Sequence, residues 1–214
     1  MDVSVERLGR AERAVRLWSQ GVEELSRLDP DLRRACEEAG PPPLEVREGG
    51  FSALLRAIVA QQVSNAAARS IWARVTERVD PLVPEKFLLL GEEGIRSLGF
   101  SRQKIRYSMG LAEEIVAGRL DLAALEEMDD EAALAELVRL KGIGRWSAEI
   151  YLLFALGRPD VWPADDLALA VAVQRLRKLE SRPTLKEMRG IGDDWRPWRS
   201  VAAIILWHYY KLTP

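Results

Sequence analysis

Apolar residues recur along this chain at helical spacing almost everywhere, and almost nowhere at the alternating spacing of a half-buried strand. Phe51, Leu54, Leu55, Ile58, Val59 and Gln62 fall at i, i+3, i+4, i+7, i+8 and i+11, a single stripe down one helix. Trp146, Ile150, Leu153 and Phe154 repeat the pattern, as do Ile105, Met109, Ala112 and Val116 more approximately. There is no run of alternating β-branched residues and no Asn-Gly or Asp-Gly hairpin turn. The pattern predicts an all-α fold.

Glycine and proline divide that pattern into many short helices. Breaks are expected at Gly21, Asp29-Pro30, Gly40 to Pro43, Gly49-Gly50, Asp80-Pro81, Gly91, Gly99, Gly118, Gly142-Ile143-Gly144, Arg158-Pro159, Pro163 and Pro183. Ser64, Ser101 and Asp129 or Asp130 stand where N-caps are needed. No repeat of solenoid period is visible. The Pro41–Pro43 stretch with Gly49-Gly50 is the best linker, and the loop from Gly157 to Asp165 is the second boundary.

At 214 residues the chain is long enough for one domain or two small lobes. Its longest apolar runs, such as Val201 to Trp207, fall far short of the ~20 residues of a membrane span. The first ten residues carry no apolar core behind a basic stretch, so no secretory signal is expected and the cytoplasm is the default compartment. The single cysteine, Cys36, excludes a disulfide framework, a four-cysteine iron–sulfur cluster and a cysteine-ligated zinc site. The single histidine, His208, excludes a multi-histidine metal site. Both residues read as packing. A net charge of −2 argues against a basic coat for nucleic acid but leaves room for a local basic face.

Two segments carry the chemistry. Leu137 to Phe154 reads as a helix, a tight Gly142-Ile143-Gly144 turn and a second helix. Paired glycines permit a turn that other residues resist and clear side chains from the start of the next helix. The unpaired amides there lie at the positive end of a helix dipole and suit one phosphate. Downstream, Asp165 and Asp166 follow Pro163 and open the nearly all-apolar helix Leu167 to Val173. Acids at that position are often mere caps; at the mouth of a buried helix they can also line a cleft.

The Leu140–Ala148 hairpin, followed by Pro163-Ala164-Asp165-Asp166 with Asp166 twenty residues after Trp146, resembles the helix-hairpin-helix Gly/Pro-Asp DNA glycosylases, most closely the AlkA-type 3-methyladenine glycosylases. Phe51–Ala68, Leu98–Ile115 and Trp195–Trp207 are similar to three further family segments in the right order.

The resemblance implies a two-lobed helical fold with the active-site cleft between the lobes. Residues 51–160 would form one lobe, and 1–50 with 161–214 the other. It implies a monomer that excises alkylated bases from double-stranded DNA in base excision repair, cytoplasmic and nucleoid-associated when acting, with a non-catalytic DNA-binding module as the alternative.

Asp166 matches the catalytic aspartate, and Asp165 its less essential neighbour. Trp146 stands where bifunctional relatives carry a nucleophilic lysine, so base removal without strand cleavage is expected. Trp146 and Trp207 match pocket aromatics, which attract a cationic alkylated purine. Ile150 and Leu167 replace aromatic residues of the pocket. Gln62, with Gln61 beside it, matches the residue that fills the gap left by a flipped base, and Phe100 the wedge against the opposite strand.

Gly142, Gly144, Arg145 and Trp146 would meet phosphate, with Arg102, Lys104, Arg106 and Lys141 around them. No cofactor is implied beyond a possible sodium or potassium ion on the backbone of Val138, Leu140 and Ile143. The β-rich N-terminal domain of larger members has no counterpart in residues 1–50.

Overall fold

The computed structural model describes residues 3–212. Among the described residues there are helices and turns but no strand. The helices are α1 (Val3–Leu28), α2 (Pro30–Ala39), α3 (Gly50–Ala60), α4 (Asn65–Arg78), α5 (Pro84–Leu88), α6 (Gly91–Ser97), α7 (Arg102–Val116), α8 (Ala124–Glu127), α9 (Asp130–Val138), α10 (Arg145–Phe154), α11 (Leu167–Leu176), α12 (Leu185–Asp193) and α13 (Arg199–Leu212). No helix among the described residues is long and apolar enough to cross a membrane.

Local chemistry explains most of the helix starts. The side chains of Ser64, Ser101 and Asp129 accept from the amides of Ala67 (3.2 Å), Lys104 (3.3 Å) and Ala132 (2.8 Å), which satisfies one orphan donor at each N-terminus. Asp29 does the same for α2, with Pro30 preset in its first turn. Thr184 and Glu187 form a reciprocal capping box at α12.

The helices fall into two compact units, Glu48–Tyr151 and Met1–Arg47 with Leu152–Pro214. The expected second boundary at residue 160 thus moves to the middle of α10. From Leu152 onward the helix contacts the chain ends: Phe154 stacks on Trp207, and the Arg47 amide donates to the Phe154 carbonyl at 2.8 Å. In the first unit α7 is the hub, packing on α3, α5 and α6 around Leu54, Leu55, Phe87, Ile95 and Ile105. In the second, α13 is the hub, against α1, α2 and α11. Its residues Val201 to Leu206 are all buried.

Gly21 is not a break. It lies inside α1, where a Cβ would come within 2.7 Å of the Trp198 ring, so glycine there allows close packing. Gly192 plays the same part in α12, 2.5 Å from Trp162 at the Cβ position. His208 and Cys36 carry structural roles: a His208 ring nitrogen bonds the Ala39 carbonyl (2.9 Å), and burial pushes the Cys36 thiol above its usual range.

Candidate active site and nucleic-acid interface

In the unit Glu48–Tyr151, α9 ends and α10 begins through the turn Leu140–Gly144. Leu140 and Ile143 are buried and anchor it. Gly142 has φ +96°, and a Cβ there would lie 2.5 Å from the Tyr107 ring, so only glycine fits. Gly144 differs from the expectation that both glycines are needed for the turn. Its φ is not positive and its Cβ position meets nothing within 4 Å. Its carbonyl accepts the Ala148 amide (3.0 Å), so it stands at the head of α10 without a side chain to cap it. Gly144 therefore places no side chain over the first turn of α10, as close approach of a phosphate requires.

The neighbouring side chains divide into two groups. Arg102, Arg106 and Lys141 are exposed, carry no ion-pair partner among the described residues, and line an open cavity of about 910 Å³ together with Glu92, Glu113 and Glu114. Arg145 is exposed too, but its guanidinium is engaged by the buried Glu149 carboxylate at 2.8 Å. Lys104 does not belong to this basic face. It is 8% exposed, and its amine donates to the Val59 carbonyl at 2.7 Å, where it satisfies the end of α3. Burial lowers its pKa from the usual lysine range.

Trp146 is 46% exposed at the start of α10 and so is not a core residue, while Ile150 is half-buried one turn on. Gln62 is exposed just after α3 with φ +54°, a left-handed conformation uncommon outside glycine and a mark of functional turns. Phe100, expected as a wedge, is a core residue: it is 4% exposed and packs beside Phe87 with ring centres 6.2 Å apart. Glycine at position 99 lets the chain turn inward there, and burying the ring outweighs displaying it.

The other unit holds Asp166. It is buried, and it caps α11 by accepting the Leu169 amide at 2.9 Å. The indole Nε1 of Trp207 donates to the same carboxylate oxygen, Oδ1, at 3.1 Å. Asp165 is exposed. The loop before Asp166 is fastened to α13: Ser200 Oγ accepts the Val161 amide (2.9 Å), the Ser200 amide donates to Pro159 (3.0 Å), and Arg199 Nε pairs with Asp160 (2.8 Å). Trp162, buried in that loop, donates its indole N–H to the Met188 carbonyl (2.8 Å). The carboxylate thus sits on rigid supports, as electrostatic stabilisation of a cation requires.

Trp207 also stacks on Phe154, with ring centres 5.7 Å apart and planes 26° apart, and the Arg47 guanidinium lies 3.8 Å from the centre of the Phe154 ring. Leu167, next to Asp166, is 60% exposed. Phe154, which stacks on Trp207, and Arg47, which lies over Phe154, are not singled out for a site by the sequence. Phe154 is indistinguishable from a core residue of the α10 stripe, and nothing local marks Arg47. Among the described residues no cluster of His, Cys, Asp and Glu is arranged to hold a metal ion.

A tight turn joining two helices and a buried carboxylate capping an apolar helix place the chain in the class of all-α helix-hairpin-helix folds. The chain belongs to that class by descent: residues 55–197 match the HhH-GPD superfamily of base excision DNA repair proteins. It is 31% identical over 195 residues to DNA-3-methyladenine glycosylase 1 of Schizosaccharomyces pombe, covering 88% of this chain and 86% of that one. The solved structure of the fission-yeast 3-methyladenine DNA glycosylase Mag1 with abasic DNA superposes at a TM-score of 0.81, with 30% identity over 91% of this chain and 98% of that one. The DNA-3-methyladenine glycosidase of Bacillus halodurans gives 0.80, with 32% identity over 87% of each chain. A Bacillus subtilis relative, 30% identical over 82% of this chain, is longer, and the present chain spans 64% of it.

Proposed function

We propose that this chain is a monofunctional DNA glycosylase that removes alkylated bases of the 3-methyladenine and 7-methylguanine type from duplex DNA. The observation that carries the reading is the buried Asp166 carboxylate, held on Oδ1 by the Leu169 amide and the Trp207 indole.

The mechanism follows from where the charges develop. N-alkylation makes a purine cationic and a better leaving group, so the enzyme needs no strong acid to protonate it. As the N-glycosidic bond lengthens, positive charge moves onto the sugar. A fixed carboxylate stabilises that oxocarbenium character and orients the attacking water. Because Asp166 is already held in place, little reorganisation is needed during the reaction.

The first-turn amides of α10 grip one phosphate, and Arg102, Arg106 and Lys141 extend the basic face. Gln62 fills the gap left when the base leaves the stack. Trp146 offers an aromatic face to the cationic base. It occupies the place of the lysine that strand-cleaving relatives use, and an indole cannot form a Schiff base, so the product is an intact strand with an abasic site.

The enzyme acts as a monomer and requires no dissociable cofactor. The carbonyls of Val138, Leu140 and Ile143 would supply neutral oxygen ligands to a sodium or potassium ion at the hairpin. The Leu140 carbonyl accepts the Ile143 amide at 3.1 Å and retains its second lone pair.

Incubation with methylated duplex DNA tests the reading. Abasic sites, revealed by alkali, should accumulate, and borohydride should trap no protein–DNA adduct. Tight duplex binding without abasic sites would leave a non-catalytic helix-hairpin-helix binding module instead. A strong trapped adduct would show that an amine such as Lys141 acts as a nucleophile.

A further inference from the structure

We propose that Gln61 is a positioning residue that ties the Gln62 turn to the phosphate-binding hairpin, so that gripping the backbone and inserting Gln62 form one mechanical event. The proposal rests on the reading of Gln62 as the inserted side chain and of the hairpin as the phosphate grip.

The geometry is specific. Gln61 Nε2 donates to the Gly142 carbonyl at 2.7 Å, across 81 residues of sequence. That carbonyl shares a peptide plane with the Ile143 amide, which donates to Leu140 at 3.1 Å, so the plane is bonded on both edges. Gly142 itself is wedged at φ +96° against the Tyr107 ring. Gln103 Nε2 donates to the Tyr107 hydroxyl at 2.7 Å and steadies that ring.

Upstream, at the end of α3, Lys104 holds the Val59 carbonyl at 2.7 Å. The exposed Gln62 therefore follows directly on a residue pinned to the hairpin, and it adopts its left-handed conformation between that residue and the Ser64-capped start of α4. A strained turn of this kind persists only when its surroundings over-determine it. A phosphate drawn onto α10 sets the height of the Gly142 peptide above the DNA, and through Gln61 the height of Gln62.

A double-mutant cycle tests this. Gln61→Met keeps the length of the side chain and removes the donor; Gln62→Ala removes the inserted group. The substrate is a duplex carrying 2-aminopurine beside a 2′-fluoro-7-methylguanine, which resists excision, so that fluorescence reports base unstacking. Excision is read separately on methylated duplex under single turnover.

Gln61→Met is expected to bind undamaged duplex within about twofold of the parent, and to lose at least ~10-fold in both unstacking and excision, the scale of a misplaced catalytic group. Its melting temperature should stay close to the parent's. The double variant should be no worse than Gln62→Ala, because the two residues act as one unit.

Additive losses in the double variant, or parental unstacking in Gln61→Met, would overturn the coupling. A silent Gln62→Ala beside an impaired Gln61→Met would also overturn it, and would single out the assignment of Gln62 as the failed premise. Loss of undamaged-duplex binding in Gln61→Met with an unchanged melting temperature would place Gln61 in the grip itself and equally refute a positioning role.

Discussion

Trp207 donates its indole N–H to the same oxygen of Asp166 that caps the Leu169 amide, at 3.1 and 2.9 Å. One carboxylate oxygen is thereby fixed by two donors from different helices. The cap at the head of α11 and the proposed catalytic group are the same residue. Reading Asp165-Asp166 as a helix cap and reading it as chemistry are therefore compatible.

Asp166→Asn is expected to fold, since asparagine caps helices about as well as aspartate and its side-chain oxygen can accept from both donors. Excision should fall by at least ~10²-fold in single turnover, because the neutral amide cannot stabilise the cation. Asp165→Asn, at an exposed position, should remain close to the parent. Parental excision by Asp166→Asn would remove it from the mechanism.

Trp207→Phe keeps an aromatic ring against Phe154 and removes the donor. A hydrogen bond to a charged group contributes roughly 1.5–3 kcal/mol, so loss of about one to two orders of magnitude in excision is expected. Binding of undamaged duplex should be unchanged, because phosphate contacts made elsewhere are untouched. A variant equally impaired in binding and excision would show that Trp207 acts as scaffold.

The two hairpin glycines are expected to separate in their effects. Gly142→Ala must place a Cβ against Tyr107 at positive φ and should cost at least ~2 kcal/mol, read by urea unfolding. Gly144→Val meets open space and should change stability by no more than about 1 kcal/mol. It should nonetheless weaken lesion and undamaged duplexes by a similar factor, since its side chain stands where phosphate approaches and a phosphate contact carries no sequence information. Parental duplex binding by folded Gly144→Val would make the hairpin a connector only.

Lys104 gives a pH signature. Burial lowers its pKa in the folded state, so between that value and 10.5 the unfolded chain holds more proton than the folded one. Stability from this group should therefore rise as pH increases through that interval. Lys104→Met should lose this rise, and should also lower the unfolding midpoint by leaving the Val59 carbonyl without its donor. An unchanged pH profile of melting temperature would show that the amine is solvated.

Much of the helical organisation was legible from the sequence alone. The stripe from Phe51 to Val59, the caps at Ser64, Ser101 and Asp129, the Gly-Ile-Gly turn and the position of Asp166 at the head of an apolar helix all follow from interactions within about four residues, which a sequence displays directly. The contrast between Gly142-Ile143-Gly144 and Gly190-Ile191-Gly192 marks where that legibility ends. The same tripeptide turns the chain between α9 and α10, yet lies within helix α12. Gly142 packs against Tyr107 and Gly192 against Trp162, each a partner from a distant part of the chain.

Tertiary packing likewise decided that Phe100 is core, that Lys104 serves the end of α3 rather than the basic face, and that Phe154 stacks on Trp207 with Arg47 over its ring. The reason is physical. A local pattern fixes which residues can share a helix face, but not which distant partner that face will bury against, and it is the partner that decides whether a ring or a charge is buried or displayed.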